Sequence, residues 1–173
     1  PISCPMETYG MKTLLILRHA KTQPDAPNGD HARQLTERGL QDAESMAAYI
    51  KASFGPPDAI VSSDARRAMQ TAEIVADGIG FTSDLTVEPR IYAAGLNALL
   101  DAVRALPDDA ARVILVGHNP GFEELAKALA SGDADVRLPT SAFARLEFDA
   151  PSWATVRPGT GTLREVATRH TIG

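Results

Sequence analysis

The chain has 173 residues, of which 44% are hydrophobic and 23% are charged, a composition that excludes a disordered or fibrous protein. The formal net charge of −5 argues against bulk attraction to nucleic acid or to an anionic membrane surface. Cys4 is the only cysteine, which excludes an internal disulfide and a cysteine-based zinc motif, and no apolar run approaches the ~20 residues of a membrane span.

The first ten residues predict an N-terminal extension. The stretch "PISCPMETYG" (residues 1–10) has neither the basic start nor the apolar middle of a signal peptide, and Met11 is a candidate for the natural start. We therefore expect a flexible extension over residues 1–10, a single domain over residues 11–173 and a cytoplasmic protein. A domain of this length can build a full hydrophobic core.

Short apolar runs alternate with helical periodicity in the first half of the chain. Leu14–Leu17 predicts a buried strand, and the Pro-, Gly- and Asp-rich residues 22–34 predict a loop. Thr36 is a candidate N-cap for a first helix. Ala59–Val61 predicts a second strand, which a second helix follows, and "LTVEP" (residues 85–89) predicts a weak third strand. The apolar faces are Leu40, Ala43, Ala47, Ile50 and Phe54 in the first helix, and Ala65, Ala68, Met69, Ala72 and Val75 in the second.

The second half continues this alternation. Arg112–Gly117 is the strongest strand signal, and Asn119-Pro120 predicts a helix start because a capping residue precedes a proline. Residues 142–149 alternate with period two, which predicts a half-buried strand at an antiparallel edge, and residues 153–168 form either a strand pair or a loose tail. This pattern predicts a three-layer α/β/α sandwich around a mostly parallel sheet with an antiparallel edge strand. A further helical face comprises Leu96, Leu99, Leu100, Val103 and Leu106.

Basic side chains follow three of these strands. Arg18 and His19 end the first, Arg67 lies in the helix after the second, and His118 ends the strongest. Because ligands bind beyond the carboxyl ends of strands in open α/β sheets, we expect these groups to converge. Guanidinium groups match phosphate geometry, and a neutral imidazole is a competent nucleophile toward phosphorus. Arg66 is ~100° around the helix from Arg67 and is expected to face solvent.

Three motifs carry a family resemblance. The segments "LRHAKT" (residues 17–22), "SSDARRAMQTA" (residues 62–72) and "VGHNPG" (residues 116–121), in this order, resemble the histidine phosphatase superfamily. The similarity is greatest to its short, SixA-type phosphohistidine phosphatases and covers roughly residues 13–146. It implies a phosphoglycerate mutase-like fold and catalysis without a metal or other cofactor.

The resemblance also implies roles for individual residues. His19 is the expected phosphorylated nucleophile, Arg18 and Arg67 are expected to bind the phosphoryl group, and His118 is expected to contact its oxygens. Asp30 and Asn119 are further candidates for substrate binding, and Ser141 is either a site residue or a turn residue.

The sequence departs from the superfamily pattern after the first histidine. Ala20 stands where glycine is usual, Lys21 stands where a carboxylate is frequent, and the glutamate general acid of many relatives has no clear match. An alkoxide leaving group needs a proton donor commonly worth ~100- to 10,000-fold in rate, whereas phosphohistidine leaves as imidazole and needs less help. This difference favours phosphohistidine. Candidates for an acid are Asp25, Asp30, His31 and Glu88.

The leading hypothesis is a metal-independent phosphohydrolase acting on a phosphohistidine protein, such as a histidine phosphotransfer domain in a signalling relay. A phosphatase of small phosphorylated metabolites is the alternative within the same class. A non-catalytic phosphate-binding module and a metal site on His19 and His118 are alternatives from other classes. Nucleic acid and membrane partners are not expected.

Overall fold

The computed structural model describes residues 10–173, so the predicted N-terminal extension lies outside the described residues except for Gly10. The strands are β1 (Met11–Arg18), β2 (Ala59–Ser62), β3 (Thr86–Val87), β4 (Arg112–Gly117), β5 (Phe143–Asp149) and β6 (Thr162–Ala167). The α-helices are α1 (Glu37–Ser53), α2 (Arg66–Ile79), α3 (Leu96–Arg104) and α4 (Gly121–Leu129).

The strands form one sheet in the order β3-β2-β4-β1-β5-β6. Parallel pairs join β3, β2, β4 and β1, whereas β5 is antiparallel to both of its neighbours. Helices α1 and α2 cover one face of the sheet, and α3 and α4 cover the other. The α/β/α sandwich predicted from the sequence is confirmed.

The centre of strand β1 is apolar because both of its faces are covered. Leu14 and Ile16 pack in the core beneath α3 and α4, whereas Leu15 and Leu17 pack in the core beneath α1 and α2. All four side chains are fully buried, and burying each contributes about 1.5–3 kcal/mol. This burial fixes the end of β1, and therefore the position of the residues that follow it.

The position predicted for residues 142–149 at the sheet edge is wrong, because β5 lies between β1 and β6 and the edge strand is β6. Two polar side chains of β5, Arg145 and Glu147, are half-buried against β6 rather than exposed at an edge. Glu147 accepts from Arg164 at 2.8 Å, and Arg145 lies 3.9 Å from Glu165. The chain before β6 forms a short 3₁₀ turn, so the predicted strand pair or loose tail is a single strand.

Two predicted helix starts have different outcomes. Thr36 caps α1 as predicted, and its Oγ1 accepts from the Gly39 N–H at 3.0 Å. The capping role predicted for Asn119 is wrong, because α4 begins at Gly121 and no side chain caps it. The Asn119 amide instead donates to the Leu138 carbonyl at 2.8 Å, which ties the start of α4 to the segment before β5.

Candidate active site

The central strands bring the two predicted histidines together. Strands β1 and β4 pair in parallel with Arg18 opposite Gly117, so the next residue of each strand projects from the same edge. The His19 N–H extends this pairing by donating to the Gly117 carbonyl at 3.0 Å. The rings of His19 and His118 consequently lie with their centroids 5.3 Å apart, tilted by 51°. The predicted convergence of these histidines is confirmed.

His19 is buried and has one free ring nitrogen. Its Nδ1 lies 2.8 Å from the Ala20 carbonyl, which can only accept, so Nδ1 carries the proton and Nε2 keeps its lone pair. Burial lowers the pKa of His19 to about 3, and repulsion from His118, Arg18 and Arg67 adds to this effect. The ring is therefore neutral at pH 7, the state in which an imidazole can act as a nucleophile.

Ala20 fits the position where relatives have glycine. It is fully buried, and its φ is not in the positive range that favours glycine. Its N–H donates to Thr71 Oγ1 at 3.0 Å, which ties the end of β1 to α2. Lys21, the second departure from the superfamily pattern, is exposed.

His118 is oriented by a serine that the sequence analysis did not identify as a site residue. Ser63 is fully buried after β2, and its Oγ lies 2.7 Å from His118 Nε2. That Oγ also accepts from the Ala65 N–H at 3.2 Å, so donation to Nε2 uses its one proton. This donation places the His118 ring proton on Nδ1. Burial, followed by repulsion from Arg67, lowers the pKa of His118 to about 4.

Both predicted phosphate-binding arginines lie at this edge. The Arg67 side chain is only 7% exposed, and its two terminal nitrogens donate to the Asp30 carbonyl at 2.8 Å and to Asp30 Oδ2 at 3.2 Å. Arg18 donates to the Leu138 carbonyl at 3.1 Å, and burial lowers its pKa. Arg66 is exposed, as predicted.

Several buried polar atoms of this edge have no hydrogen-bond partner among the described residues. Buried polar groups are normally paired, so their concentration here suits a polar ligand rich in oxygen atoms. Ser141, whose φ is +66°, is both a turn residue and a neighbour of the site, since its N–H donates to the His19 carbonyl at 3.0 Å. The unpaired atoms include Arg18 Nε, Arg67 Nε, His118 Nδ1, Asn119 Oδ1 and Ser141 Oγ.

A cleft of about 530 Å³ opens above the histidines. His118 lines this cleft, whereas Arg18 and His19 do not, and the His19 ring adjoins the His118 ring at 5.3 Å. The polar lining residues are Asp30, Arg67, Tyr92, His118, Asn119 and Glu124.

Tyr92 is a second cleft residue that sequence reasoning missed. Its hydroxyl donates to Asp30 Oδ2 at 2.6 Å, and its ring meets the His118 ring edge-on at 5.6 Å. The Arg67 guanidinium lies 5.9 Å from the centroid of the same ring. The sequence signal for this segment is the weak strand β3, because ligands bind beyond the carboxyl ends of strands.

The candidate acids do not place a protonated carboxyl group in the cleft. The hydrogen bond from Tyr92, together with attraction to Arg67, holds the pKa of Asp30 below its usual range. Glu88 pairs with Arg90 at 2.9 Å and does not line the cleft. Of the other two candidates, Asp25 is exposed and His31 Nε2 lies 3.1 Å from Asp64.

Residues 10–173 contain neither a candidate metal cluster nor a candidate membrane-spanning helix. Within this range, no three His, Cys, Asp or Glu side chains converge in a way that could hold a metal ion. None of the helices described is both long enough and apolar enough to span a bilayer.

The sheet is parallel at its centre, and two histidines and two arginines lie at one of its edges. This arrangement is typical of a class of phosphoryl-transfer proteins. Residues 14–93 match the family model of the histidine phosphatase superfamily, branch 1. The chain belongs to the histidine phosphatase superfamily.

Similar proteins place the chain more closely within that superfamily. It is 30% identical over 138 residues to the phosphohistidine phosphatase SixA of Escherichia coli, with 79% of this chain and 85% of SixA covered. It is 31% identical over 156 residues to an uncharacterised Mycobacterium tuberculosis protein, with 85% and 96% covered. The structure of the protein histidine phosphatase SixA complexed with tungstate superposes with a TM-score of 0.81 at 25% identity, with 93% of this chain and 99% of that one covered. The expected phosphoglycerate mutase-like fold is thereby confirmed.

Proposed function

We propose that this chain is a phosphohistidine protein phosphatase that works through a covalent phosphohistidine on Nε2 of His19. The observation that carries the proposal is the state of this ring. It is buried and neutral, its Nδ1 proton is held by a carbonyl, and it lies beside His118. Only an unprotonated ring nitrogen can attack phosphorus, and this arrangement provides one at neutral pH.

The reaction takes place in two steps. In the first, Nε2 of His19 bonds to phosphorus as the bond to the leaving group breaks, and the bonding pair goes to that group. In the second, water attacks the phosphorus as the bond to Nε2 breaks, the bonding pair returns to His19, and phosphate departs with the proton that the water gives up. Arg18, Arg67 and the Nδ1 proton of His118 stabilise the charge on the transferring oxygens, and removing one such donor typically costs about 100- to 1000-fold in rate.

The lining of the cleft supports a phosphohistidine substrate. A phosphomonoester needs an acid to protonate its departing alkoxide, yet the carboxyl group beside Arg67 belongs to Asp30, whose pKa is lowered. Imidazole is a far better leaving group and departs without that acid. Similarity to the Escherichia coli phosphohistidine phosphatase supports the same choice.

Trapping of the intermediate tests the proposal. The wild-type protein and two variants, His19→Ala and His170→Ala, are mixed with N-phosphohistidine in the presence of a chelator, quenched at alkaline pH and examined by mass spectrometry. His170 is exposed near the C-terminus and serves as the matched histidine control. We expect one phosphoryl group on His19 in the wild-type protein and in His170→Ala, and neither adduct nor turnover in His19→Ala.

The other outcomes distinguish the alternatives. Near-native turnover in His19→Ala would refute the covalent mechanism. Binding of N-phosphohistidine without turnover would indicate a phosphate-binding module, and loss of turnover on chelation would indicate a metal site. Faster turnover of small phosphomonoesters than of a phosphorylated histidine phosphotransfer domain would assign the chain to small metabolites.

A further inference from the structure

The charged side chains of the cleft are unevenly placed. Among the described residues that line it, Arg67 is the only arginine or lysine, and it is already paired with Asp30. Asp30 and Glu124, here called the acidic pair, are the carboxylate residues of the lining. Both residues are exposed, and the Asp30 side chain retains 55% of its accessible surface.

The geometry of phosphoryl transfer determines which part of a substrate meets the acidic pair. The attacking and leaving atoms lie roughly in line on opposite sides of phosphorus. His19 does not line the cleft but adjoins His118, which does, so a group leaving in line with His19 departs into the cleft. Arg33 lies 3.3 Å from Asp30 Oδ1 but does not line the cleft. With Arg67 engaged by the phosphoryl group, the acidic pair are the charged lining residues that remain for the leaving group.

We infer that Asp30 and Glu124 select substrates by the charge of the leaving group, favouring a protonated nitrogen base over an alcohol or an anionic metabolite. This inference rests on the proposed function and assigns specificity within the same site. A ring that is protonated on its distal nitrogen is attracted to the acidic pair, whereas an alkoxide or a carboxylate is repelled.

The bonds, the electron pair and the proton are all accounted for when the leaving group is an imidazole protonated on its distal nitrogen. The substrate imidazole carries its phosphoryl group on one nitrogen and a proton on the other. When the nitrogen–phosphorus bond breaks, its electron pair returns to the ring, which departs as neutral imidazole. A carboxylate that accepts a hydrogen bond from the distal N–H keeps the substrate in this reactive, protonated form. No proton donor is required.

A purely structural role for Asp30 predicts a different result. Asp30 accepts from Arg67 with its backbone carbonyl and with Oδ2, and Asp30→Asn removes the charge from the second contact only, so a structural role predicts that this change misplaces the guanidinium. A misplaced Arg67 would slow every substrate equally, because each one presents the same phosphoryl group. Loss of the carboxylate charge would instead change the ratio between substrates with cationic and anionic leaving groups.

The test measures kcat/KM for N-phosphohistidine and for p-nitrophenyl phosphate in Asp30→Asn, Glu124→Gln and the wild-type protein. Asp25→Asn is the matched control, since Asp25 is exposed on the same loop and does not line the cleft. We expect the ratio of N-phosphohistidine to aryl phosphate turnover to fall about tenfold in Asp30→Asn, less in Glu124→Gln, and not at all in the control. Glu124→Gln keeps the test independent of the Arg67 contacts.

Equal losses on both substrates in Asp30→Asn, with no change of ratio in Glu124→Gln, would overturn this inference while leaving the phosphatase mechanism intact. A wild-type protein that hydrolyses neither compound would refute the proposed function, and this inference with it.

Discussion

Acidification from pH 7 to pH 5 should destabilise this protein by about 2 kcal/mol through His19 alone. Burial lowers the pKa of this ring from 6.5 to about 3 in the folded chain. Between these values the unfolded chain binds a proton that the folded chain does not. The stability that the neutral ring contributes is therefore complete above pH 6.5 and is lost as the pH falls toward about 3. Each pH unit in this window costs about 1.4 kcal/mol, so the change from 6.5 to 5 costs about 2 kcal/mol.

Urea unfolding of the wild-type protein and of His19→Asn at a series of pH values isolates this contribution. Asparagine does not titrate, and its amide can still donate to the Ala20 carbonyl. The other titrating groups are common to both proteins, so the difference in unfolding free energy between them reports His19. We expect that difference to shift against the wild-type protein by about 2 kcal/mol between pH 7 and pH 5. A constant difference would show that the folded ring titrates normally, and it would refute the lowering of its pKa by burial.

Two further substitutions test the surroundings of the site. Ser63→Ala leaves Nε2 of His118 without its hydrogen-bond donor, so the ring is free to change tautomer. We expect kcat to fall about 10- to 100-fold while KM changes little. A loss of unfolding free energy with unchanged kcat would contradict the role of the serine. Alanine favours helices more than glycine does, yet Gly39→Ala should lower the free energy of unfolding in urea by about 1–3 kcal/mol. The reason is that the Cβ of the new alanine would overlap the Lys21 carbonyl oxygen. Gly95→Ala, whose Cβ meets no atom within 4 Å, is the control, and greater stability of Gly39→Ala than of wild type would contradict the overlap.

The centre of the site could be predicted because the strands that carry it are central. β1 and β4 are apolar on both faces, which determines where each strand ends and which residue emerges next. Arg18, His19 and His118 follow directly from those ends. Arg67 was predictable for a similar reason, since adjacent residues of α2 lie ~100° apart around the helix, which separates the buried Arg67 from the exposed Arg66.

The rest of the cleft could not be predicted in this way. Tyr92 follows a strand of two exposed residues, and its partner Asp30 is 62 positions away in the chain. Contacts between two loops do not produce a periodic pattern of hydrophobic residues in the sequence. The sequence does not single out Ser63, because a serine between a strand and a helix is equally suited to capping the helix and to contacting an imidazole. The misplacement of β5 has a similar origin, since period-two alternation does not distinguish an exposed polar face from one covered by ion pairs with β6.

The electrostatics of the site connect binding with catalysis. Arg18 and Arg67 carry the positive charge that suits a phosphoryl dianion, and the same charge helps to lower the pKa of both imidazoles. Burial does most to keep His19 unprotonated, and the two arginines proposed to hold the phosphoryl group add to this effect. Asp30 lies on the outer side of Arg67, where it balances a buried charge in the folded chain without contacting His19 in a hydrogen bond or ion pair. A carboxylate closer to that ring would raise its pKa and favour the protonated, unreactive form. The loop of residues 22–34 thus places the Asp30 carboxylate where it can act on the leaving group without raising the pKa of His19.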